Sequence, residues 1–92
     1  MAWKSPEPPE DVNDLIEMGE FYFLNQKLHE AERVLKRALR LAPRNIKACY
    51  TLGVVYEAMN EADKAKALYE KVLHLDPDNK AAREHLDRLI GV

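Results

Sequence analysis

Cysteine and serine are almost missing from this chain of 92 residues: one Cys, Cys49, and one Ser, Ser5. A lone cysteine excludes an internal disulfide and any zinc cage built on cysteine pairs. A lone serine among prolines near the N-terminus leaves no nucleophile for a serine triad. Glycine occurs three times and never in a cluster, so no phosphate-cradling loop is present. Three histidines, His29, His74 and His85, stand far apart, with none at i+3 or i+4 from another. They read as solvated surface residues and not as metal ligands. Asp76-Pro77-Asp78-Asn79 offers oxygens but lacks the glycine and distal glutamate of a calcium loop. No apolar run approaches the roughly 18 residues that span a bilayer. The start, MAWKSPEPPE, lacks the apolar core of a signal peptide. A net charge of −2 gives no general attraction to nucleic acid or anionic membrane. The expectation is a soluble, cytoplasmic, non-enzymatic protein with no cofactor, no metal, no nucleic acid and no membrane.

What is present is a repeat. Val12 to Asn45, moved forward 34 residues, lands on Ile46 to Asn79, and seven positions coincide: Gly19/Gly53, Tyr22/Tyr56, Ala31/Ala65, Leu39/Leu73, Leu41/Leu75, Pro43/Pro77 and Asn45/Asn79. Chance supplies about two at ordinary composition. A fixed period of this size marks a solenoid. The spacing predicts five helices. Residues 1–10 hold Pro6, Pro8 and Pro9 and read as an extended, flexible tail carrying Trp3. Helix one starts near Glu10 or Asp11, with acids at its positive end. Its inward stripe is Leu15, Met18 and Tyr22, beside Gly19. After the polar turn Asn25-Gln26-Lys27, helix two runs from Leu28 to Leu41, with Leu28, Ala31, Val34, Leu35, Ala38, Leu39 and Leu41 as its apolar set. Pro43 stops it. Helix three, capped by Asn45, repeats helix one with Cys49, Leu52, Gly53 and Tyr56; Cys49 reads as a small apolar filler. Helix four, from Ala62 to Leu75, turns Ala65, Leu68, Tyr69, Val72, Leu73 and Leu75 inward. Helix five, from Lys80 to Ile90, does so with Ala82, Leu86, Leu89 and Ile90, and Gly91 ends it. Arg83 and Asp87 stand where the earlier helices carry Leu15/Cys49 and Gly19/Gly53, as a solvent-facing terminal helix needs.

On these residues the chain resembles the tetratricopeptide repeat family. Leu52, Gly53, Tyr56, Ala65, Tyr69 and Pro77 match that family's positions, as do Gly19, Tyr22, Ala31 and Pro43 one repeat earlier. Met18, Leu35 and Leu15 stand in conservatively, and Leu15 and Cys49 replace the family's early tryptophan. The resemblance implies an all-α solenoid of antiparallel helix pairs wound into a right-handed superhelix. The division is repeat one at 12–45, repeat two at 46–79 and a capping helix at 80–90, together a domain at 11–90. Small residues at Gly19, Gly53, Ala31 and Ala65 suit a close crossing within each pair.

The resemblance also implies where recognition occurs. The first helix of each pair lines a concave groove, through Asn13, Ile16, Glu20 and Phe23, then Lys47, Tyr50, Val54 and Glu57, then Ala81, Glu84 and Arg88. Ile16, Phe23, Tyr50 and Val54 form an apolar candidate patch, with Tyr50 the best anchor. The competing reading packs Ile16 and Val54 between neighbouring first helices and Phe23 on the turn. One branch of the family clamps the C-terminal carboxylate of chaperones. Ile16, Glu20, Thr51, Ala81 and His85 replace the basic and amide residues of that clamp, so none is expected. Charge is uneven: Met1 to Leu24 carries six acids and one base, Lys27 to Lys47 seven bases and two acids. Arg33, Arg37, Arg40 and Arg44, with Lys36 beside them, form a stripe on helix two. It reads either as a solvated outer face or as a docking patch for an acidic protein segment. The leading functional expectation is a scaffold that holds a peptide or helix of a protein partner in the groove. The alternatives are a self-associating module, as a homodimer, and one segment of a larger scaffold.

Overall fold

The odd and even helices start differently, and that difference sets the architecture. The structure is a computed structural model that describes residues 11–91. The proline-rich segment 1–10 and Trp3 lie outside the described residues. Five helices follow in order: α1 Val12–Leu24, α2 Leu28–Leu41, α3 Ile46–Ala58, α4 Ala62–Leu75 and α5 Lys80–Ile90. The odd helices carry side-chain caps. Asp11 Oδ1 accepts from the amides of Asn13 and Asp14 at 2.7 and 3.2 Å. Asn45 and Asn79 each accept from the amide three residues on, at 2.9 Å. These bonds satisfy amides that have no partner within the helix.

The even helices lack a side-chain cap and begin directly after a tight turn. In those turns Gln26 and Asn60 take φ values of 63° and 62°, the left-handed region. The chain then reverses so sharply that Lys27 N donates to Tyr22 O and Glu61 N to Tyr56 O, both at 2.9 Å. The even helices end alike as well. Ala42 and Asp76 precede Pro43 and Pro77, and proline disfavours the helical conformation in the residue before it. Both residues leave the helical region, with φ near −141° and −143°. The turns close through Asn45 N to Ala42 O and Asn79 N to Asp76 O at 3.1 Å, and so deliver each asparagine to its capping position. Gly91, at φ 79°, ends α5 in the left-handed conformation.

α1 packs on α2 and α3 on α4, while α2 also meets α3, α4 meets α5, and α1 meets α3. Each pair crosses at its glycine. A Cβ on Gly19 would sit 2.6 Å from Leu35 Cγ, and one on Gly53 would sit 2.8 Å from Tyr69 Cε1. Ala31 and Ala65 are fully buried beside these crossings. The core runs through Leu15, Leu35, Cys49, Leu52, Val55, Tyr69, Val72 and Leu86. α3 is enclosed on most sides: Ala48, Thr51 and Val55 are buried as well as Cys49, Leu52 and Tyr56. Two residues expected inward are exposed, Leu41 at 52% and Ile90 at 46%. Each occupies the last position of its helix, where no further turn covers it.

Candidate functional site

The expected groove residues lie on α1, α3 and α5 and divide into three groups by exposure. Asn13, Lys47 and Glu84 are exposed, and Glu20 is half-exposed. Lys47 Nζ lies 3.6 Å from Glu20 Oε2, an ion pair that bridges α1 and α3. Phe23, Tyr50 and Val54 are half-buried and pack against the core. Ile16 is only 3% exposed. It belongs to the core cluster, so the expectation that it lines an open groove is corrected. A hollow of about 440 Å³ opens between the first turns of α3 and α5, lined by Ile46, Lys47, Tyr50, Asn79 and Ala81. Its walls are mainly apolar. Ile46 and Asn79 were not expected to take part; they enter because each stands at the turn that starts an odd helix.

Behind Tyr50 lies a polar cluster that joins three helices. The Tyr69 hydroxyl, from α4, donates to Glu57 Oε1 of α3 at 2.6 Å. His85 Nδ1, from α5, lies 2.7 Å from the same oxygen. Arg88 Nη2 donates to Glu57 Oε2 at 3.2 Å and lies 2.8 Å from His85 Nδ1. The other ring nitrogen of His85, Nε2, lies 3.1 Å from the Tyr50 hydroxyl. The rings stack as well as bond: His85 meets Tyr50 edge-on, centroids 5.5 Å apart, and Tyr69 at 5.0 Å. Burial alone would raise the Glu57 carboxyl, but hydrogen bonds from Tyr69, His85 and Arg88 outweigh it and hold the group below its ordinary value. Burial pushes the Tyr69 hydroxyl up, and the carboxylate it donates to pushes it further. A second, smaller pair of this kind is Tyr56 donating to Glu32 Oε2 of α2 at 2.8 Å.

This cluster revises two expectations. His85 is not a solvated surface histidine: its side chain is only 23% exposed and contacts four residues through both ring nitrogens. Glu57 does not wait for a partner, since both its oxygens are engaged within the chain. The signal for this was available in the repeat: Glu57, Tyr69 and His85 stand where the preceding repeat has Phe23, Leu35 and Thr51. Cys49 is fully buried, and burial pushes its thiol up, which suits a packing role and not a nucleophile. Among the described residues no group of three His, Cys, Asp or Glu side chains is placed to hold a metal ion. Among them, too, no helix is long and apolar enough to cross a membrane.

Comparison with known proteins places this arrangement. The first 85-residue match is the mouse (Mus musculus) FK506-binding protein-like, 33% identical over 92% of this chain and 24% of that protein. The tetratricopeptide repeat domain-containing protein PYG7 of Arabidopsis thaliana, a chloroplastic protein, is 35% identical over 78% of this chain and 24% of its own length. This chain thus spans about a quarter of the length of each of these two relatives. Among solved structures, the first TPR of Spaghetti (RPAP3) bound to the HSP90 peptide SRMEEVD superposes with a TM-score of 0.85 at 27% identity, covering 88% of this chain and 64% of that one. MamA superposes at 0.86 and 28% identity, over 88% of this chain and 47% of its own. Such domains are protein-interaction modules. The family model for the tetratricopeptide repeat matches residues 22–89, and the chain belongs to that family.

Proposed function

We propose that the face shared by α1, α3 and α5 holds a peptide or a helix of another protein and performs no chemistry on it. The observation that carries this reading is the open, mainly apolar hollow between Ile46, Tyr50 and Ala81, with Lys47 on its rim. An apolar side chain of the partner fits the hollow, and a carboxylate beside it meets Lys47. Burying a partner side chain there against an aromatic ring is the usual form of an interface anchor. Asn13, Glu20 and Glu84 supply polar contacts around it, and Phe23 and Val54 its apolar flank. Tyr50 is held for this task through His85, so Glu57 acts on the partner indirectly, by fixing the anchor.

Support comes from neighbours in fold that hold peptides, such as the second TPR domain of human RPAP3 in complex with the HSP70 peptide SGPTIEEVD, 28% identical at a TM-score of 0.82. The peptide class is a different one in this reading. Of the residues at the clamp positions, Ile16 is 3% and Thr51 8% exposed, His85 is engaged by Glu57 and Tyr50, and Ala81 carries no charge. A selection of peptides displayed on phage tests the proposal. Selected peptides are expected to bind the wild type and to lose at least about tenfold in affinity on Ala81→Arg, which fills the hollow. Equal binding to that variant, with its fold intact, moves recognition off this face. A peptide ending in EEVD is expected to show no saturable binding in the micromolar range.

A further inference from the structure

The outer face of α2 carries positive charge that the solenoid does not require. Arg33, Lys36, Arg40 and Arg44 are all exposed. Arg33, Lys36 and Arg40 lie on the side of α2 opposite its buried residues Ala31, Leu35 and Ala38, and Arg44 follows in the turn after the helix. Among the described residues, Arg33, Arg40 and Arg44 form no ion pair; Lys36 lies 3.7 Å from Glu32. The equivalent positions 34 residues on, in α4 and the turn after it, are Ala67, Glu70, His74 and Asp78. The same places in the same architecture thus hold four cations in one repeat and two acids with no cation in the next. Packing cannot explain the cations, because α4 does without them.

The face is also shaped. His29, Glu32, Arg33, Lys36 and Arg40 surround a shallow polar hollow of about 240 Å³. Glu32, the one acid in it, is turned to the Tyr56 hydroxyl and to Lys36. We infer that this face docks an acidic segment of a protein partner, separate from whatever occupies the α1–α3–α5 face. Guanidinium forks match planar carboxylates in pairs, and three of the four cations are arginines. Arg33 to Arg40 spans about 10 Å of helix, the reach of about three extended residues, with Arg44 prolonging the track. Nucleic acid is disfavoured because no aromatic ring is interleaved on which a base could stack, and the chain as a whole carries −2. A membrane surface is disfavoured because the apolar side of α2 is committed to the core, leaving only Leu41 to insert.

Fluorescence anisotropy with a fluorescein-labelled hexaglutamate peptide tests this on the full chain. Saturable binding at about 20 mM salt, weakened at least about fivefold at 150 mM, is expected for a solvent-exposed ionic site. Arg33→Glu with Arg40→Glu should reduce affinity at least about tenfold, since two favourable contacts become repulsive. Arg33→Lys with Arg40→Lys should lose part of it, because lysine keeps the charge without the fork. Lys80→Glu with Arg83→Glu removes as much charge from α5 and should bind as the wild type does. Thermal melts establish that each variant is folded. Absent binding, or equal loss in the α5 variant, overturns the inference. Tighter binding of oligouridylate or of phosphatidylserine vesicles, lost in the α2 variant, overturns it in favour of a different polyanion.

Discussion

Ile16, Phe23, Leu35, Thr51 and Val54 recur 34 residues later as Tyr50, Glu57, Tyr69, His85 and Arg88. The geometry around them is shared: each pair crosses at a glycine set against the large residue of its second helix, Leu35 or Tyr69. The chemistry differs in proportion. Where the first pair meets α3, the junction is mainly apolar: Ile16 and Leu35 are almost completely buried, and its polar links are isolated ones, Tyr56 to Glu32 and Lys47 to Glu20. Where the second pair meets α5, it is a connected set of hydrogen bonds around Glu57. Apolar contact depends on area and tolerates small shifts. A buried carboxylate depends on each donor, and losing one leaves a costly unmade bond. Two successive junctions of one solenoid are therefore held by forces of different directionality.

The comparison breaks most sharply at Tyr69. Tyr69→Ala removes a fully buried ring and the donor to Glu57, and is expected to cost about 3–5 kcal/mol by cavity formation alone. Urea unfolding measures it; a loss below about 1 kcal/mol would deny that the second junction is built on this ring. Next come the crossings. Gly19→Leu and Gly53→Leu should each cost about 1–3 kcal/mol or more by overpacking. If thermal melts register only one of them, the two pairs do not share a crossing. Glu57→Gln is expected to cost about 1–2 kcal/mol, as the charged acceptor is lost, and to alter the acid response. The folded-state value of Glu57 lies below its ordinary 4.5. Its contribution is therefore fully present above that pH and fades as pH falls through the lowered value. Melts between pH 7 and pH 3 should show a smaller acid loss in the variant; identical profiles would remove Glu57 from the account. The smallest effect is expected from Leu24→Gln. Leu24 is 76% exposed, and a change within about 0.5 kcal/mol of zero would confirm that it supports neither pair.

How much of this was legible depends on periodicity. The helix bounds, the asparagine caps and the proline stops follow from local rules, and 34-residue matching located them to within a residue or two. α3 shows where such rules end. Seven of its residues are buried, spread around its circumference, so no stripe separates inward from outward. Ile16 was misplaced for a related reason: it lies beside the Leu15–Met18–Tyr22 stripe of its own helix, yet it is buried in the shared core. The cluster around Glu57 needs three helices to converge, which no single-helix pattern reports. What the sequence offered was the coincident change of three apolar or neutral positions to glutamate, tyrosine and histidine, legible only when the two repeats are compared place by place.

The cluster around Glu57 also bears on how the chain avoids misassembly. A repeat protein offers each helix several similar docking surfaces, and pairing with the wrong neighbour is its characteristic error. Placed against α1 and α2, α5 would bring His85 and Arg88 to Phe23 and Leu35, which can neither accept a proton nor balance a charge. Placed against α3 and α4, it meets Glu57 and Tyr69. The polar cluster thus works as an address: it makes one docking site for the last helix correct and its near-copy unacceptable.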